Sequence, residues 1–119
     1  VTTDPPDHRD SARDASLRRA LAGAELAWAE AVGGGSVCRV DAGTGHPVKR
    51  LEGAVFALAG ARRRLDAAMP PVAAVRTALD DWRQRIRPAG GLWEAYAQGG
   101  ESALTGLLSE LEDEGEGIR

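Results

Sequence analysis

The sequence predicts an all-α protein: an antiparallel helical bundle of three main helices plus one or two short C-terminal helices. Three observations point there. Apolar residues recur at alternating steps of three and four over most of the chain, which is the period of one helix face. Glycine and proline clusters punctuate those runs, and short turns of that kind make antiparallel neighbours the economical packing. Alanine is abundant while Val, Leu, Ile and Phe together make up only 23 of 119 residues, so the helices are thin and suited to close approach.

Residues 1–10 (VTTDPPDHRD) are rich in proline and charge and are expected as a disordered arm. Ser11 followed by Asp14 is a loose relative of the capping box and predicts the start of the first helix. Leu17, Leu21, Ala24, Trp28 and Ala31 then share one face. Ala20, Ala22, Leu26, Ala27 and Ala29 carry apolar character around the rest, so this helix is expected to be covered on more than one side. Gly33, Gly34 and Gly35 end it.

The stretch SVCRVDAGTGHPV does not read as helix. Val37 and Val40 suit a short extended piece, Gly43 and Gly45 a turn, and Pro47 the first turn of the second helix. That helix carries Val48, Leu51, Val55, Leu58, Leu65 and Met69 on one stripe and stops at Pro70-Pro71. A third helix begins at Pro71, with Val72, Val75, Leu79, Trp82 and Ile86 in heptad-like spacing. Arg76 with Asp80, and Asp81 with Arg85, are i,i+4 pairs on its solvent side, worth only ~0.3 kcal/mol each. Pro88 and Gly90-Gly91 terminate it. Residues 92–98 read as a short apolar helix, broken by Gly99-Gly100 from a last helix carrying Leu104, Leu107, Leu108 and Leu111. The single folded domain thus spans 11–111, and residues 112–119 form an acidic tail. No internal repeat is evident.

Composition excludes several classes of function. A net charge of −3 does not suit a general polyanion binder. Fourteen of the fifteen cations are Arg, an excess read first as the codon bias of a GC-rich genome; Lys49 is the single lysine. Cys38 stands alone, so no disulfide forms within the chain. No run approaches the ~18 apolar residues of a membrane span. The first sixteen residues are polar and charged, unlike a secretory signal, so the cytoplasm is the expected compartment.

Groups that carry catalysis are few. His8 and His46 are the only histidines, and neither paired Glu-x-x-His motifs nor nucleophile-elbow, P-loop or zincin motifs are present. Cys38, Asp41 and His46 lie within nine residues and are all zinc-ligand types, but a stable site wants a fourth ligand and the spacing matches no standard module. Arg39 and His46 have the Arg-x6-His spacing of some helical ribonuclease domains, but there the pair opens a helix, whereas Gly43, Gly45 and Pro47 intervene here. No metal and no cofactor is expected.

Three groups of residues stand out instead. If the second and third helices are antiparallel, Lys49 and Arg50 neighbour Arg83, Arg85 and Arg87, a candidate anion site; the plainer reading is that cations complement helix C-terminal dipoles. Arg62 falls between Leu58 and Leu65 on the apolar stripe, either extending along its stem to water or pairing with Glu25, and is a further anion-binding candidate. Gly53, Ala57 and Gly60 share a face of the second helix, and since helix glycine costs ~1 kcal/mol against alanine they suggest close approach by another helix or a second copy. Trp28 and Trp82 sit on apolar stripes and are expected in the core. Trp93 and Tyr96 are expected either to pack as a lid or to anchor a partner. The leading expectation is a non-catalytic interaction module, self-associating or a subunit of a larger assembly. The alternatives are an anion or nucleic-acid binder and a small helical enzyme or metal protein.

Overall fold

The computed structural model describes residues 8–33, 42–87 and 90–116. Four helices account for nearly all of them: α1 (His8–Gly33), α2 (Ala42–Asp66), α3 (Pro71–Arg85) and α4 (Gly91–Glu116). No strand occurs among the described residues, and no described helix is long and apolar enough to cross a membrane.

Three boundaries differ from the sequence reading. The first helix starts at His8, three residues before Ser11, and Asp10 already makes an ion pair with Arg13 inside it (3.7 Å). The second starts at Ala42, so Pro47 lies inside the helix rather than in its first turn. The third difference is the largest. Residues 92–98 and the Leu104–Leu111 stripe belong to one helix of 26 residues, which runs unbroken through Gly99-Gly100 and on to Glu116. The C-terminal element is thus as long as α1, and part of the expected acidic tail is helical.

Short-range pairs fix the topology. Arg18 in the first half of α1 bonds Asp66 at the end of α2 (2.9 Å), while Trp28, further along α1, meets Phe56, earlier on α2, so these helices are antiparallel. Arg76 reaches Glu112 (3.3 Å) and Arg83 reaches Glu101 (2.9 Å), which makes α3 and α4 antiparallel. Arg13 Nε donates to the Leu111 carbonyl across α1 and α4 (3.0 Å). Of the two i,i+4 pairs expected on α3, Asp81–Arg85 forms (2.8 Å), whereas Arg76 turns to Glu112. An exposed arginine gains little from a partner on its own helix, and a carboxylate across the interface is equally reachable.

Packing is uneven around the bundle. The most extensive interface joins α2 to α4, while α1 and α3 meet each other least. The cross-section is therefore a rhombus: α2 and α4, running parallel, form the central pair, with α1 and α3 laid along its two grooves. The core combines Leu17, Leu21, Val55, Leu58, Leu65, Val75, Leu79, Trp82, Leu104, Leu107 and Leu111 with Ala57, Ala61, Ala74 and Ala78. Those alanines let the axes draw together, and glycine does so more strongly at the centre. A Cβ on Gly53 would fall on the Tyr96 carbonyl, one on Gly99 on the Arg50 carbonyl, and one on Gly100 on the Trp82 ring. The glycine pair that reads locally as a break is in fact the contact surface of α4.

The turn from α2 to α3 is a Schellman motif. Met69 N donates to Arg64 O (3.0 Å), Ala68 N donates to Leu65 O (3.0 Å), and Ala68 takes a left-handed φ of 73°. Pro70 and Pro71 then open α3, with Pro71 where a missing N–H costs nothing. A left-handed alanine is strained by about 1 kcal/mol. Ala68→Gly is expected to raise stability by about that much less the extra freedom of glycine in the unfolded chain, read as a higher urea midpoint at unchanged slope.

Candidate functional site: an aromatic cluster open at one edge

All five Trp, Tyr and Phe residues of the chain join one cluster, to which every helix contributes. Its floor is Trp82 of α3, which is buried and donates its indole N–H to the Ala97 carbonyl (3.0 Å). Tyr96 of α4 stands at the centre, with ring centroids 5.3 Å from Trp82, 6.3 Å from Phe56 and 5.7 Å from Trp93. Phe56 of α2 extends the chain to Trp28 of α1 at 6.2 Å. These spacings lie in the range where edge-to-face and tilted rings attract, about 0.5–1.5 kcal/mol per pair beyond burial.

The cluster is buried on one side only. Trp82 is enclosed and Trp28 and Tyr96 are half-buried, but Phe56 is 49% exposed and Trp93 60% exposed. Lys49 closes the rim. Its ammonium lies 5.1 Å from the Trp93 ring and 5.9 Å from the Tyr96 ring, and it pairs with Glu52 at 2.7 Å. Lys49, Glu52 and Phe56 follow at steps of three and four along α2, and Trp93 and Tyr96 at a step of three along α4, so each helix presents one face here. The close approach at Gly53 and Gly99 is what brings the two faces side by side.

Tyr96 records this environment. Its phenol is held above its ordinary value of 10.0, chiefly by burial and then by Glu52, while Lys49 and Arg85 oppose the shift. For an acid whose folded pKa is raised, the associated stability is whole below pH ~10 and falls as pH rises through the folded value, because only the unfolded chain then releases its proton readily. The chain has a single tyrosine, so phenolate absorbance reports this site alone. Its midpoint is expected above that of a free tyrosine, and higher still in Lys49→Met.

The remaining residues singled out by sequence are placed as follows. Arg50 bonds Gln98 (2.7 Å), Arg83 pairs with Glu101 and Arg85 with Asp81 (2.8 Å), while exposed Arg87 has no ion pair among the described residues. Lys49, Arg50, Arg83 and Arg85 all lie toward the aromatic end, yet three of them already face a carboxylate. Arg50, Gln98 and Glu101 also line a shallow groove with Ser102, Thr105 and Gly106. Arg62 stands at the other end. Its Nε is shielded from solvent without a hydrogen bond and lies 4.0 Å from Asp66 on the same helix, whereas Glu25 is exposed. Ala61, not Arg62, takes the buried place between Leu58 and Leu65. On the small-residue face of α2, Gly53 meets α4 and Ala57 is buried, but among the described residues a Cβ on Gly60 would meet only the Arg63 and Arg64 side chains of its own helix. Cys38, Arg39 and Asp41 lie outside the described residues, as does the His46 side chain. No group of three metal-ligand side chains occurs among the described residues.

Phe56 is the member that sequence reasoning missed. It lies far around α2 from the Leu stripe, on the side of Lys49 and Glu52, and a phenyl ring placed among charges is the signal that marks it. Comparison with protein-family models, curated proteins and solved structures finds no match to this chain. The functional reading therefore rests on the geometry.

Proposed function

We propose that this protein is a non-catalytic helical interaction module that docks a protein partner through the open edge of the aromatic cluster. The observation that carries this reading is the exposure of Phe56 and Trp93 on a base of packed rings. Aromatic side chains dominate binding hot spots because they bury large area for few rotatable bonds. Here the bonds are already restricted: Tyr96 is held between Trp82 and Phe56, and Trp93 is held between Tyr96 and the Lys49 ammonium. A surface fixed before contact loses less entropy on binding. An apolar anchor from the partner fits the corner between Phe56 and Trp93, and the Lys49–Glu52 pair supplies polar register at its rim. An anion- or nucleic-acid-binding role is the weaker reading, since Glu52, Glu101 and Asp81 already offset Lys49, Arg83 and Arg85.

The test is a Phe56→Ala/Trp93→Ala variant. Both side chains are about half exposed, so the helices are expected to persist, with a loss of stability of roughly 0.5–1.5 kcal/mol for each of the three ring pairs removed. A partner that co-purifies stoichiometrically with the wild type is expected to lose at least about thirtyfold in affinity, the effect of removing a hot spot of ~2 kcal/mol. Equal recovery with the variant would remove the patch from consideration. Salt-sensitive retention on heparin that depends on Arg83 and Arg87 would favour the anion reading instead.

A further inference from the structure

A second exposed apolar face lies on α1, away from the aromatic cluster. Leu26 is the most exposed large hydrophobic residue described, at 61%. It lies on the side of α1 opposite Leu17, Leu21 and Trp28, which face the bundle. Ala22, Leu26, Ala29 and Gly33 are all exposed and follow at steps of four, three and four, the spacing of a helix–helix seam. Gly23 adjoins this seam in mid-helix, where glycine costs about 1 kcal/mol against alanine. Among the described residues nothing approaches the position of its Cβ, or of a Cβ on Gly33. The packing that explains Gly53 and Gly99 is thus missing at Gly23.

Charge along the flanks of this seam is polarised. Arg18 and Arg19 lie in the first half of α1 and Glu25 and Glu30 in the second, all exposed. Arg18 is engaged by Asp14 and Asp66, but Arg19, Glu25 and Glu30 have no ion pair among the described residues. A copy of this helix laid parallel would set like charges beside like. Laid antiparallel, with Leu26 seated over the partner's Ala22, it brings Arg19 beside the partner's Glu30 on one flank, and symmetry repeats that contact, so two opposite-charge contacts outweigh the single approach of Glu25 to the partner's Glu25 on the other flank.

We propose that the chain forms a twofold homodimer through this face, α1 packing antiparallel against α1 of a second copy. The interface is small and apolar at its centre, at the low end of biological contacts, so association is concentration-dependent in roughly the micromolar range. The seam lies on the far side of α1 from Trp28, so the dimer leaves both aromatic edges open. Two docking sites on one rigid particle multiply the avidity for a repeated or clustered partner. This assignment concerns a different face from the partner dock and stands or falls separately.

Sedimentation velocity from low micromolar to near-millimolar protein tests it. The wild type is expected to pass from monomer to dimer. Leu26→Glu is expected to raise the dissociation constant at least thirtyfold, by about the loss of a hot spot, with unchanged circular dichroism because the site is exposed. Arg19→Glu is expected to weaken the dimer about tenfold, and adding Glu30→Arg in the same chain to restore it. A monomer at every concentration overturns the proposal, as does a dimer indifferent to Leu26→Glu. A dimer lost in Phe56→Ala/Trp93→Ala but kept in Leu26→Glu also overturns it and places the second copy on the aromatic edge.

Discussion

Gly99→Ala is expected to destabilise the protein by about 2 kcal/mol, although the same change in an isolated helix would stabilise it. Propensity alone favours alanine by roughly 1 kcal/mol. Against that, the new methyl would meet the backbone of Arg50, with its carbonyl carbon and Cα both 2.7 Å from the Cβ position. A backbone atom in a neighbouring helix cannot rotate away, so α2 and α4 must separate along the interface that holds the bundle together. Overpacking of this kind costs about 1–3 kcal/mol, with larger values where the backbone resists. Gly106 provides the internal control. It lies on the same helix with nothing among the described residues near its Cβ position, so Gly106→Ala is expected to raise stability by up to about 1 kcal/mol. Opposite shifts in melting temperature for the two variants would separate packing from propensity. Equal stabilisation by both would show that α2 and α4 do not approach as closely as described.

Trp82→Ala carries the larger effect, an expected loss of about 3–5 kcal/mol. That is a major fraction of the 5–15 kcal/mol that keeps a typical domain folded. Trp82 is 5% exposed, lies under Gly100, packs at a tilt against Tyr96 and donates to the Ala97 carbonyl. Its removal leaves a cavity that glycine at position 100 does nothing to fill. Trp82→Phe separates the contributions. It keeps most of the apolar contact but drops the N–H, and the Ala97 carbonyl retains its place in the helix ladder, so about 1–2 kcal/mol is expected. Because Tyr96 rests on this ring, Trp82→Ala is also expected to lower the phenol midpoint toward 10 as water reaches it. A phenol unchanged in a folded Trp82→Ala protein would dissociate the cluster from its floor.

The elements and the site differ in how far they can be read without coordinates. The apolar stripe of the third helix is legible: Val75, Leu79 and Trp82 are buried and Val72 packs at the edge of the core, as their spacing predicts, whereas Ile86 packs there from just beyond the helix end at Arg85. Arg62 is less so, because it lies about 100° around α2 from Ala61, and only the directions from which the other helices pack decide that Ala61 is the one enclosed. The aromatic site is the least legible. Trp28, Phe56, Trp82, Trp93 and Tyr96 lie on four helices, and no local pattern states that they meet.

Periodicity is a property of neighbours along the chain, since a residue's face on a helix depends only on its separation from others on that helix. The sequence alone therefore determined that the protein is helical, which stripes are apolar, and that Pro70-Pro71 separates two helices. Glycine is ambiguous at that level, because it weakens a helix and also allows another backbone to touch it. Whether Gly99-Gly100 breaks α4 or seats it was decided only by its neighbours, the Arg50 backbone of α2 occupying the space a side chain would need at Gly99 and the Trp82 ring of α3 that at Gly100. The aromatic edge is a consequence of that contact, because the same close approach sets Phe56 beside Tyr96 and leaves Trp93 facing outward.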